Sequence, residues 1–154
     1  MNTDNSRNRI VGIVDDDLDI VNLFRDALTA ISEVTIHTFT DPILAMEHFQ
    51  INEDAYVLII SDLKMPGLSG IEFLRKVKQK NKFTRTILMT AFDINDKLFR
   101  NYTKEKIIDA FLQKPIKIND LINEVETQLC SYEAQQEAPA QVSQQSKKFD
   151  YELL

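Results

Sequence analysis

The chain has a single cysteine, Cys130, in 154 residues. One thiol excludes an internal disulfide and any zinc site built on several cysteines, and it fits a reducing compartment. Basic residues are the minority charge: 18 Lys and Arg stand against 24 Asp and Glu, for a formal net charge of −6. Binding nucleic acid through its phosphates calls for clustered Lys and Arg, so direct DNA or RNA binding is not expected. No apolar run approaches the length of a membrane span, and residues 1–8 lack the apolar core of a secretory signal. No internal repeat is visible. The expectation is a soluble, cytoplasmic protein of one domain, with no membrane partner, since this length holds one proper core but not two.

What the sequence does have is a regular alternation of two apolar patterns. Residues 10–14 are a short apolar run that stops at Asp15-Asp16-Asp17, as a buried strand does on entering a loop. From Leu18 onward Ile20, Val21, Phe24, Ala27, Leu28 and Ile31 recur at three and four residue spacing, one face of a helix. Residues 34–39 read as a strand, and Asp41-Pro42 supplies an N-cap and a first-turn proline for a helix carrying Ile43, Leu44, Met46 and Phe49. Residues 56–60 are continuously apolar, the pattern of a strand buried on both faces of a parallel sheet, and Asp62 follows at once. A Pro/Gly turn then leads to Ser69 and Glu72, at capping-box spacing, and a helix over 71–80. A strand over 86–90 ends in Thr90, a helix over 95–104 places Leu98 and Tyr102 on one face, and a strand over 107–112 ends before Lys114-Pro115. A last helix carries Ile118, Leu121, Ile122, Val125 and Leu129 on one stripe.

Five strands alternating with five helices imply right-handed crossovers and a five-stranded parallel sheet covered on both faces. The expected domain covers residues 9–130, after a polar N-terminal extension over 1–8. Residues 131–154, dominated by Gln, Ala, Ser and Glu, read as a disordered or weakly helical tail. Its final residues, 149–154, are apolar enough to dock on a partner, although a frayed end is the commoner fate of a terminus.

In a parallel sheet the carboxyl ends of all strands lie on one edge, where ligands bind. That edge gathers Asp15 and Asp16, Asp62, Thr90 and Lys114, which are distant in sequence. Three crowded carboxylates repel and need a cation, and hard oxygen ligands with open positions suit Mg²⁺ beside a phosphate. Asp62 can attack phosphorus to form an acyl phosphate, Lys114 can pair with a phosphoryl oxygen and Thr90 can donate a hydrogen bond to another.

With Val14-Asp15-Asp16, Asp62-Leu63-Lys64-Met65-Pro66, Gly70, Thr90-Ala91 and Lys114-Pro115 in order, the sequence resembles the receiver domain of two-component response regulators, over residues 8 to about 130. The resemblance implies a flavodoxin-like (βα)5 fold with strand order 2-1-3-4-5. It implies a stand-alone phosphorylation switch in a phosphorelay, not a metabolic enzyme, with Asp62 phosphorylated by a sensor histidine kinase or a histidine phosphotransfer protein. It further implies Mg²⁺ ligated by Asp16, Asp62 and the backbone carbonyl of Lys64, with Asp15 acting through water. In the switch it implies, Thr90 is drawn to the phosphoryl group and Phe111 moves inward behind it, altering the surface of the fourth helix, fifth strand and fifth helix for a downstream protein. Lys64 and Phe92 flank the site, and the bulk of Phe92 is expected to screen the acyl phosphate from water.

The sequence departs from the family pattern before the fifth strand. Lys106-Ile107-Ile108 stands where a Gly-Ala turn is usual, the interval from Thr90 to Lys114 is longer than normal, and Lys117 cannot cap the last helix as Ser or Asp would. Four rival readings fit less well. Asp15, Asp17 and Asp19 have the opening spacing of an EF-hand loop, but Ile20 occupies the position that needs glycine. A Mg²⁺-dependent aspartyl-phosphate phosphohydrolase would place its nucleophile directly at the strand end, and Asp17 comes two residues late. A flavodoxin needs a phosphate loop after the first strand, where three aspartates would repel the ligand. A degenerate receiver that acts only as a binding module would lack some of the five polar residues, and all are present. His37 and His48 are assigned to packing or the surface.

Overall fold

The computed structural model describes residues 9–93 and 97–152, with side chains described as far as Glu137. Five strands, β1 (Ile10–Val14), β2 (Thr35–Phe39), β3 (Tyr56–Asp62), β4 (Arg85–Thr90) and β5 (Ala110–Gln113), form one sheet in the order β2-β1-β3-β4-β5. Every neighbouring pair is parallel. Helices α1 (Leu18–Leu28), α2 (Pro42–Ile51), α3 (Gly70–Lys80), α4 (Lys97–Lys104) and α5 (Ile118–Glu152) connect and cover the strands. This is the covered parallel sheet that the alternating pattern implies, in the flavodoxin-like order that the family resemblance implies, and its two central strands, β1 and β3, are buried along their whole length.

The apolar runs of β1 and β3 feed two cores, one on each face of the sheet. On one face Ile59 packs with Phe49, Phe73, Leu74 and Val77 from α2 and α3; on the other Ile13, Leu58 and Ile60 meet Val21, Phe24, Leu28, Leu121 and Val125 from α1 and α5. Full burial contributes about 1.5–3 kcal/mol for each large apolar side chain, so β3 is the strand on which stability most depends.

Helix starts follow their predicted caps. The Asp41 carboxylate accepts from the Ile43 N–H at 2.9 Å, and the Ser69 hydroxyl accepts from the Glu72 N–H at 3.2 Å. Asp17 caps α1, accepting from Asp19 N–H at 2.9 Å, so the helix begins inside the stretch that the EF-hand spacing would need as a loop.

Several expectations are corrected in detail. Ile107 and Ile108 do not open the fifth strand: their N–H groups both bond to the Tyr102 carbonyl, at 3.0 and 3.4 Å, and so finish α4. Lys106, at φ 60°, takes the left-handed conformation that glycine usually supplies after a helix. The missing glycine turn is therefore a helix C-terminus closed by a lysine, and β5 starts later, at Ala110. Within α4, Phe99 is the buried residue and Leu98 is exposed; residues 95 and 96 of the expected helix lie outside the described residues. In α2 the core is made by Ala45, Met46 and Phe49, whereas Ile43 and Leu44 are exposed. Helix α1 stops at Leu28, and Ile31 follows in a turn that still packs on the core.

Helix α5 continues to Glu152, through most of the segment whose composition suggested a tail. Tyr132 packs on the α1/α5 core, and Glu133 forms an ion pair with Arg9.

Candidate functional site

The polar strand ends converge. Strand β3 delivers Asp62 at its last position, and the Leu63 N–H extends the ladder by bonding to the Met89 carbonyl at 3.0 Å. The chain then turns back so tightly that the Gly70 N–H reaches the Leu63 carbonyl at 2.9 Å. A Cβ at Gly70 would collide with the backbone carbonyl of Asp62, so this glycine is what lets the first turn of α3 sit behind the acid. The sequence showed Gly70 only as a motif position; its role is a close approach that spacing does not reveal.

Asp15 and Asp62 are both buried, Asp16 is exposed, and one carboxylate oxygen from each lies within 4.8 Å of the others. Lys114, carried past the end of β5, bridges the two buried acids: its Nζ is 3.0 Å from Asp62 Oδ1 and 3.3 Å from Asp15 Oδ2. Its backbone N–H bonds to the Thr90 carbonyl at 2.7 Å, which ties the two strand ends together, and the Lys114–Pro115 peptide is cis. Thr90 is buried and its Oγ1 accepts from the Phe92 N–H at 2.9 Å, which leaves the hydroxyl proton free to be donated elsewhere. Asp62, Lys64, Thr90, Phe92 and Lys114 line an open cleft of about 280 Å³. Lys64 Nζ sits over the Phe92 ring, 4.6 Å from its centroid, a contact across the cleft mouth that sequence alone does not show.

The electrostatics follow from crowding. Burial raises the Asp15 carboxyl above its ordinary value and the neighbouring Asp62 charge adds to this, against the lowering effect of the Asp17 N–H and Lys114. Burial by itself would lower Lys114, but its hydrogen bond to Asp62 and the charges of Asp15 and Asp62 outweigh it and hold the ammonium above its usual value. Lys114 thus pairs with two of the three clustered carboxylates, Asp15 and Asp62. The donor set fits a hard divalent cation: oxygen ligands only, in excess of the local positive charge, on one side of an open cleft. Of the remaining predicted residues, Lys64 lines the cleft, and Phe111 is half-buried and packs edge-on against Phe99, with centroids 5.3 Å apart. Asp17, the nucleophile of the phosphohydrolase reading, is exposed and engaged in capping α1.

Comparison with known proteins gives the family of the chain. A family model for the response regulator receiver domain matches residues 11–126. The chain belongs to that family, the receivers of two-component signalling. It is 32% identical over 117 residues to the regulatory protein VanRB of Enterococcus faecalis, covering 76% of this chain and 50% of VanRB. It is 30% identical over 128 residues to the DNA-binding transcriptional regulator NtrC of Escherichia coli, covering 83% of this chain and 26% of NtrC. The chain thus spans half or less of the length of these relatives. Among solved structures, the BeF3-activated DrrB receiver domain superposes with a TM-score of 0.64 at 25% identity, covering 79% of this chain and 97% of that one.

Proposed function

We propose that the chain is a phosphorylation switch whose acceptor is Asp62. The observation that carries this reading is the Asp62–Lys114–Asp15 constellation at one sheet edge, with Thr90 beside it and the acids within 4.8 Å of one another. An Asp62 oxygen attacks the phosphorus of a phosphohistidine on a sensor kinase or phosphotransfer protein; the P–N bond breaks, the imidazole leaves with the bonding pair and is protonated, and an acyl phosphate remains on Asp62. Lys114, already pointing at Asp62, pairs with a phosphoryl oxygen, and Thr90 turns its hydroxyl proton toward another. Asp16, Asp62 and the Lys64 carbonyl would hold Mg²⁺, with Asp15 behind them, and the ion would neutralise charge on the transferring group. Movement of Thr90 draws Phe111 inward and changes the α4–β5–α5 surface. The BeF3-activated state of the DrrB receiver supports an activatable site in this family.

The output is binding to another protein or onward transfer of the phosphoryl group, in the cytoplasm, and not direct contact with DNA. Intact mass after incubation with acetyl phosphate tests the reading. The parent should gain one phosphoryl group only when Mg²⁺ is present, and Asp62→Asn should gain none. Equal labelling of the variant would move the acceptor elsewhere, and no labelling of the parent by acetyl phosphate or by a phosphohistidine donor would leave a binding module alone.

A further inference from the structure

The two histidines of the chain, far apart in sequence, meet on the face of the sheet away from α1 and α5. His37 lies in the middle of β2 and His48 on α2, with ring centroids 4.7 Å apart and planes tilted by 34°. His48 Nδ1 is 2.6 Å from the hydroxyl of Tyr56, a residue only 1% exposed. The Tyr56 ring lies over Gly12, where a Cβ would come within 2.9 Å of it, so this ring has no room to retreat. The Phe39 ring also contacts His48, at 5.4 Å between centroids, and the Phe39 carbonyl accepts the Asp15 N–H at 3.1 Å.

Other charges around the pair are few. Strand β1 has none, β2 has only His37, and β3 offers Tyr56 and then nothing ionisable until Asp62 at its far end. On α2 the one other charged side chain, Glu47, is exposed, and no hydrogen bond or ion pair joins either ring to a charged side chain of α3 among the described residues. With no carboxylate paired to either ring among the described residues, two imidazolium rings at this separation repel.

We propose that His37 and His48 form an acid-sensitive latch, which holds α2 against the β2 edge while at most one ring is protonated and, through Phe39, supports the backbone at Asp15. Burial, and then the charge on His48, lower the His37 midpoint in the folded state. The unfolded chain therefore binds more protons, and stability present above pH 6.5 is lost as pH falls through that midpoint. The latch does not depend on phosphorylation of Asp62.

With only 2 histidines in the chain, imidazole NMR signals are readily assigned in the full-length protein. In a titration from pH 8 to pH 5, His48→Gln should raise the His37 midpoint, because the charge that lowers it is gone. Thermal melts should show the parent losing stability below neutral pH while His37→Gln and His48→Gln lose less. Exchange protection of the Asp15 amide should fall in the parent over the same range. An unchanged His37 midpoint in His48→Gln, or equal acid sensitivity of the melts in parent and His37→Gln, overturns the latch. Constant protection at Asp15 overturns its link to the site.

Discussion

Asp15 is the residue at which function and stability oppose one another. It is buried beside Asp62, and one lysine serves both acids. Because its carboxyl is raised in the folded state, the stability it contributes is complete below about pH 3.8 and is lost as pH rises through the higher folded value. Asp15→Asn removes that loss and leaves Lys114 paired with Asp62. At pH 7 without Mg²⁺ the variant should melt above the parent, and the difference should shrink on acidification. Millimolar Mg²⁺ should raise the melting temperature of the parent and move the variant far less. A second residue, Phe92, acts on lifetime. Its half-exposed ring carries Lys64 at the mouth of the cleft, a contact worth about 0.5–1 kcal/mol. Phe92→Ala should therefore shorten the acyl-phosphate half-life about two- to fivefold, read by loss of label after the donor is removed. An unchanged half-life would deny the ring its screening role.

At the scale of elements, what could be read from the sequence and what could not separate by mechanism. The strands β1, β3 and β4 announce themselves because burial on both faces demands unbroken apolar residues, and Asp15, Asp62 and Thr90 stand out as the polar residues that end them. The same logic misreads Ile107-Ile108. Two buried β-branched residues look like a strand whether their N–H groups join a ladder or, as here, bond back to Tyr102 at the end of α4. Only the backbone distinguishes these, and the residue that turns it, Lys106, bears no mark of the left-handed region in its chemistry. Lys106→Gly should stabilise the protein by about 0.5–1 kcal/mol in chemical denaturation, since glycine adopts this conformation without a Cβ penalty. A destabilisation of the same size would mean that the lysine side chain contributes more than the strain it bears.

Across the whole molecule, the last helix makes contacts beyond Cys130 that composition does not announce. The Gln- and Glu-rich run after Cys130 looks too polar to bury anything, yet Tyr132 packs against the α1/α5 core and Arg9 lies over its ring, 5.9 Å from the centroid. Arg9 also pairs with Glu133, so the residue just before β1 is tied to α5. A single aromatic in a polar stretch is a weak signal in sequence, but it restores an apolar stripe: Leu121, Val125, Leu129 and Tyr132 are spaced by four, four and three residues on one side of α5. Two truncations separate the alternatives. A chain ending at residue 137 keeps the aromatic, the ion pair and the turn that follows, and it should melt with the full-length protein. A chain ending at residue 130 loses all of these and exposes the core surface that Tyr132 covers. Partial burial of one aromatic places the loss at about 1–2 kcal/mol, with a melting temperature lower by several degrees. Equal melting of the two truncated chains would put the edge of the folded unit at Cys130, where composition placed it.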